Sequence, residues 1–181
     1  MPMTFHADGT IDGLNVSSMP AGSIIQVVNH STTSRVNPTP SPADPISATS
    51  GVEYTTFNFT PNFANSKLLL TSSTMMFGER SNVGDTMIAF ATYGGNTIIG
   101  SWCNYMGYEM WDGYRDSTFG TFNHLFDSWG TSQKAISIRC CNSNGTTQIG
   151  INYPPGNNQY FSQYNSPNRH EVTFTMSEIK Q

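Results

Sequence analysis

The sequence predicts an all-β protein, an antiparallel β-sandwich of jelly-roll type with an extended N-terminal arm. Three observations predict it. Apolar and polar residues alternate with period two in short segments, as in 52–60 (VEYTTFNFT) and 171–179 (EVTFTMSEI), the pattern of strands with one buried face. Turn-forming residues separate these segments at spacings that suit antiparallel connections. No segment carries a convincing helical period. Two sheets with one buried face each explain the alternation better than a single open sheet, and a closed barrel is the alternative.

Residues 1–21 do not read as a folded element. Phe5, Ile11, Leu14, Val16 and Met19 are spread along the segment, but Asp8-Gly9, Asp12-Gly13 and Met19-Pro20 interrupt any helical period. Such spacing reads as an attachment arm lying on a partner or a neighbouring copy, set against a floppy terminus. The chain therefore divides into an arm, 1–21, and a sandwich domain, 22–181.

Residues 22–31 form a strand rich in β-branched side chains, Ile24, Ile25, Val27 and Val28. Residues 32–50 carry Pro38, Pro40, Pro42 and Pro45, which forbid helix or ladder strand. A solvated connection of polyproline character fits them, and a peptide ligand for a groove domain is the other reading. Strand 52–60 ends at Pro61, and 67–76 has the denser apolar run of a central strand. Segments 85–93 and 96–102 flank Gly94-Gly95, a hairpin of two-residue type. A Gly- and aromatic-rich loop occupies 105–120, and a strand follows over 122–129. Segments 135–141 and 147–153 flank Asn142-Ser143-Asn144-Gly145. Period-two alternation around an Asn-Gly step predicts a type I′ hairpin there, the strongest local signal in the chain, so 122–153 reads as the organising stretch. Residues 154–169 form a long polar loop, and 171–179 closes the chain with Val172, Phe174 and Met176 on one face.

At 181 residues the chain is long enough to bury a core without disulfides or metal. Charged residues are 11% and aromatics 12%, so hydroxyls and amides replace charges on the surface. Few charges suit a surface that meets other protein, since ionic groups are costly to desolvate. The net charge is −4 and the eight basic residues are scattered, which leaves nucleic acid and anionic membranes without a binding footprint. The start lacks a cationic region followed by an apolar run, and no apolar stretch reaches the ~18 residues of a spanning helix. Cytoplasmic synthesis without membrane insertion is expected. Cys103, Cys140 and Cys141 are odd in number, and neighbouring strand residues point to opposite faces; buried free thiols fit better than disulfides.

The residues give little catalytic chemistry. His6, His30, His124 and His170 are far apart, without the spacing of two or four that places ligands on one face. His124 reads as a hydrogen-bonded structural residue in a strand. There is no G-x-S-x-G elbow and no phosphate-cradling Gly loop. Glu109, Asp112 and Asp116 form the one acidic cluster beside aromatics; glycoside hydrolysis needs a matched carboxylate pair, and solvated acids in a loop account for the cluster. Asn-x-Ser/Thr occurs at Asn15, Asn29, Asn58 and Asn144 at a rate the composition explains. No catalytic residue, metal site or cofactor is predicted.

Several ordered motifs remain. Met1-Pro2-Met3-Thr4 and Gly9-Thr10-Ile11-Asp12-Gly13 lead to Pro20-Ala21-Gly22-Ser23-Ile24-Ile25-Gln26-Val27-Val28. Thr60-Pro61 precedes Ser66-Lys67-Leu68-Leu69-Leu70, and Phe126-Asp127 follows. The segment from Asn144 to Asn152 and a terminal Thr173-Phe174-Thr175-Met176-Ser177-Glu178-Ile179 complete the order. In this order the chain resembles short virion structural proteins and fibre tips of tailed bacteriophages, notably marine and cyanobacterial ones. The resemblance spans nearly the whole chain through structural motifs. It implies a homotrimeric β-sandwich appendage whose N-terminal segment, with Phe5, Ile11, Leu14, Val16 and Met19, attaches to the particle. It also implies residence in the virion, other capsid or tail proteins as partners, and no catalytic residues. A capsid-bound decoration protein or short fibre suits the length best; a receptor-binding tail-fibre tip is the alternative. From a different class, a soluble carbohydrate-binding module would share the aromatic loop without needing the arm.

The Pro-rich segment, the aromatic loop and 154–169 depart from that pattern. In the loop, Tyr105, Tyr108, Trp111 and Tyr114 recur every three residues among glycines and small polar groups. Such rings stack on sugars and give large contact area at low entropic cost. Exposed, they form a tip for a host-surface glycan or protein; packed, they cover one end of the sandwich or the trimer axis.

Overall fold

The computed structural model describes residues 4–5, 11–12, 16–34, 36, 46–78, 85–106, 117–142, 150–151 and 171–181. Eight long strands carry the body: β3 Ile24–Thr32, β4 Val52–Phe59, β5 Lys67–Gly78, β6 Asp85–Tyr93, β7 Thr97–Met106, β8 Ser117–Asp127, β9 Lys134–Asn142 and β11 Val172–Ile179. Three two-residue strands, β1 Thr4–Phe5, β2 Ile11–Asp12 and β10 Gly150–Ile151, and a 3₁₀ turn at Val16–Ser18 complete the described elements. Among the described residues no helix is long and apolar enough to cross a membrane.

The eight long strands form two antiparallel sheets, ordered β3–β11–β5–β8 and β4–β9–β6–β7. The pairs β6·β7, β5·β8, β4·β9 and β3·β11 are nested around the β6–β7 turn, each enclosing the one before it. That nesting, split across two sheets, is the double Greek key of a jelly roll. The fold class read from the sequence is the one observed.

The nesting is driven by which faces are apolar. From the second sheet, Tyr54, Phe57, Phe59, Ala89, Ala91, Ile136, Ile138 and Cys140 face Leu68, Leu70, Phe122, Val172, Phe174 and Met176 of the first in one core. Phe59 and Phe174 are buried, and full burial of such a side chain stabilises the fold by roughly 1.5–3 kcal/mol. The inward face of β4 skips from Tyr54 to Phe57. A register shift against β9 between Glu53 and Thr55 explains it, since a bulge puts residues at odd spacing on one face. Tyr54 meets Phe174 edge-on across the sheets at 6.2 Å, and Trp102 lies 4.2 Å from Phe122.

Two local expectations are corrected. The hairpin around Asn144-Gly145 does not form: β9 pairs with β4 along one edge and β6 along the other, so no edge remains for 147–153. Gly150–Ile151 instead pairs with β5 in the opposite sheet, opposite Gly78 and Phe77. The Asn144-Gly145 step itself lies outside the described residues. At the β6–β7 turn, Tyr93 pairs with Thr97, which leaves three connecting residues where two were predicted. Gly94 and Gly95 both have positive φ, 58° and 78°, as glycines in tight hairpins do. The N–H of Gly94 is donated to the Ala135 carbonyl at 3.1 Å, so Gly94 still belongs to the ladder toward β9.

The loop between β7 and β8 also differs from the sequence reading. The β6–β7 ladder runs on to Asp85 opposite Met106, and β8 begins at Ser117. Tyr105 is therefore a strand residue, paired with Thr86, and not part of a loop.

Candidate functional site

Of the residues predicted to attach to a particle, Phe5 and Ile11 lie directly opposite each other in the β1–β2 pair, where the sequence predicted no element. Leu14 lies outside the described residues. Val16 and Met19 are half-buried at the root of the arm. That root is tied to the body by Lys180. Its Nζ donates to the carbonyls of Ser17 and Met19, its carbonyl accepts from Gly22 N–H at 2.7 Å, and its N–H donates to the Ser23 carbonyl at 2.9 Å. Gly22, at φ 86°, makes the turn from arm to β3. Tyr108, Trp111 and Tyr114 of the predicted ligand loop lie outside the described residues, as do Glu109, Asp112 and Asp116.

The end of the sandwich beneath the root is organised by one carboxylate. Glu178 has no exposed surface. Its Oε2 accepts from Asn62 N–H at 2.8 Å, and its Oε1 accepts from Phe63 N–H at 2.8 Å and Ser66 Oγ–H at 2.7 Å. A carboxylate can be held away from water when its lone pairs are filled this way. Glu178 shares the inward parity of Val172, Phe174 and Met176, so alternation aims an acid at the interior and the 60–66 loop receives it. Sequence reasoning noted the terminal motif but missed this role; an acid in phase with three core positions was the available signal.

The histidines are part of the packing. The His30 ring stacks on Phe57 at 5.1 Å, and its Nε2 shares a 2.7 Å hydrogen bond with Thr55 Oγ1, which links β3 to β4. His124 stacks between Phe122 and Phe126, at 5.9 and 6.1 Å. A side chain added at Gly100 would meet the His124 ring at 2.8 Å, so glycine there lets ring and backbone touch across the sheets. Among the described residues no three of His, Cys, Asp or Glu gather as a metal-ligand set. Cys140 and Cys141 are buried free thiols, and burial pushes both above the ordinary thiol range, away from nucleophilic character.

Arg139 fixes the turn that leads into β4. Its Nε donates to the Ser50 carbonyl at 2.9 Å, its Nη2 donates to those of Thr49 at 3.2 Å and Gly51 at 2.9 Å, and Nη1 lies 3.7 Å from Glu53 Oε2. On this sheet the described outward face carries charge. Among the described residues the outward face of the other sheet does not, apart from Lys67 and Asp127, which pair with each other.

On that neutral face, Val27, Ser177, Leu69 and Leu125 are register mates in one row across β3, β11, β5 and β8. The next row is Ile24, Ile179, Lys67 and Asp127. Ile24 is 56% exposed, Val27 52% and Leu125 54%. Beyond the apolar row, Thr175 Oγ1 donates to Asn29 Oδ1 at 2.7 Å, and Ser31 Oγ lies 2.9 Å from Thr173 Oγ1. Sequence reasoning missed this band. Its signal was broken alternation, in Ile24-Ile25, Val27-Val28, Leu68-Leu69-Leu70 and Leu125-Phe126, where consecutive apolar residues must serve both faces.

No protein-family model matches the chain, and no curated protein does. Among solved structures it is similar to that of the infectious bursal disease virus Gx strain, at 12% identity and TM-score 0.40, over 86% of this chain and 38% of that one. It is also similar to the T=1 particles derived from infectious bursal virus, at 12% identity and TM-score 0.42, over 93% and 40%. A third similarity is to dimeric latent PorU of Porphyromonas gingivalis, at 12% identity and TM-score 0.34, over 89% and 14%. The chain thus spans 40% or less of the length of these three chains.

Proposed function

We propose that this protein is a non-enzymatic, homotrimeric structural appendage of a tailed bacteriophage virion, either a capsid-bound decoration protein or a short fibre. The observation that carries this reading is the Glu178 contact. Two motifs of the phage-like order, Thr60-Pro61 to Ser66-Lys67 and the terminal Thr173 to Ile179, meet there through a buried carboxylate. Their co-occurrence therefore has a physical cause: one supplies the acid and the other the donors that make its burial tolerable. Support also comes from the arm. Its root is held to the body by Lys180.

The test is removal of residues 1–15, which spares the Lys180 contacts. The truncated protein is expected to keep its β-sheet circular dichroism and its trimer mass and to lose attachment to the particle. Full attachment by the truncated protein would overturn the role of the arm.

A further inference from the structure

The outward face of the β3–β11–β5–β8 sheet has a composition that calls for a partner. Exposed large apolar residues scattered singly are ordinary, whereas aligned ones mark an interaction surface. Here Ile24, Val27 and Leu125 are each more than half exposed, and Leu69 connects the two edges in the same row. Resting on the appendage reading, we propose that this face is where copies of the chain contact one another.

Three observations choose a second copy as the occupant. First, the face offers a charged partner nothing. The four strands contain three charged residues by sequence, Lys67, Asp127 and Glu178; Glu178 is buried on the inner side, and the other two neutralise each other. Second, the polar part is built of hydroxyls and an amide, Asn29, Ser31, Thr173 and Thr175. Each such group both donates and accepts, so the surface is complementary to itself as a charged face of one sign cannot be. Third, the area approaches what a specific contact needs. Four strands about 4.8 Å apart and some seven residues at about 3.3 Å each give roughly 450 Å² of projected face. Two such faces bury about 900 Å², close to the ~1,000 Å² that separates specific interfaces from incidental contacts. A contact of this size is weak; used face to face it pairs copies two-fold and, beside a trimer's own contacts, joins trimers in pairs.

The test measures oligomeric mass by sedimentation for the full chain and for Val27→Lys, Leu125→Lys and a control, Ile98→Lys. Ile98 is exposed but lies on β7 of the other sheet. Expected is an oligomer for the parent and the control, with each face variant weakening association by about 100-fold, since an unpaired ammonium would be buried. Circular dichroism confirms folding, and Asn29→Arg on the same exposed face replaces any variant that loses its sheet spectrum. If the folded face variants keep the parent's mass, this surface is wrong and the homotrimer reading survives. A parent that is monomeric up to about 0.1 mM overturns both.

Discussion

Replacing Glu178 should show how much the end of the sandwich depends on one buried acid. Glu178→Ala removes an acceptor from three donors, Asn62 N–H, Phe63 N–H and the Ser66 hydroxyl. A buried donor left without a partner costs about 1–3 kcal/mol. Asn62 is exposed and recovers a bond to water, and the Ser66 hydroxyl keeps the Phe63 carbonyl as an acceptor at 2.9 Å, whereas the N–H of half-buried Phe63 is left without a partner. One stranded group costs about 1–3 kcal/mol and the lost buried methylene about 0.8 more, a total centred near 3. For a chain of this size each kcal/mol moves Tm by about 2–4 °C, so a fall of about 6–12 °C is expected. Glu178→Gln keeps one oxygen, which can serve Phe63 and Ser66, and sets its amide group donor-to-donor against Asn62. Its cost should be near 2 kcal/mol. Thermal and urea unfolding followed by circular dichroism, at one protomer concentration, measures both. Amide exchange at Asn62 and Phe63 should accelerate in step. A loss below about 1 kcal/mol for Glu178→Ala, or equal losses for the two variants, would refute the reasoning.

Gly51 has φ 64°, and a Cβ there would lie 2.2 Å from the Cys140 carbonyl oxygen, whereas Gly95 at φ 78° has open space around it. Gly51→Ala is expected to cost at least about 3 kcal/mol and Gly95→Ala about 1, by urea unfolding; similar costs would show that backbone strain alone matters at both. The Cys140 thiol, whose ordinary value is 9.0, is raised in the fold by burial first, then by Cys141. The folded state thus holds its proton where the unfolded state releases it. Its contribution is intact below pH 9 and is lost as pH rises, by up to about 1.4 kcal/mol per pH unit. Urea unfolding between pH 9 and 10 should therefore show a shallower fall for Cys140→Ala than for the parent; parallel slopes would contradict the burial.

The strands were legible because alternation is a local property. Val172, Phe174 and Met176 declare an inward face that any sheet partner would use, and β6 was found with its observed bounds. Partner choice was not legible in the same way. The Asn144-Gly145 signal was stronger than that of Gly94-Gly95, yet only the second makes the hairpin that the other pairs enclose. A turn signal says that two segments can meet, not whether an edge is free, and β9 has both edges taken by strands distant in sequence. The bulge in β4 was hidden for a related reason, since Tyr54 and Phe57 fit no strict period. The apolar band was visible as broken alternation, but its meaning depends on Val27, Leu69 and Leu125 falling in one row, which is a matter of register.

The position of β11 has a consequence for biogenesis. It follows the other seven long strands in chain order, yet it lies between β3 and β5 and bonds to both. During translation those two emerge early and must wait, with facing backbone groups unsatisfied, until the segment that joins them leaves the ribosome. Their sheet cannot close progressively from the N-terminus. A stalled chain lacking this strand would also lack Glu178 and Lys180, so the 60–66 loop and the root of the arm would lose their ties together. Emergence of this strand and the fastening of both the 60–66 loop and residues 17–23 are thereby coupled in one event.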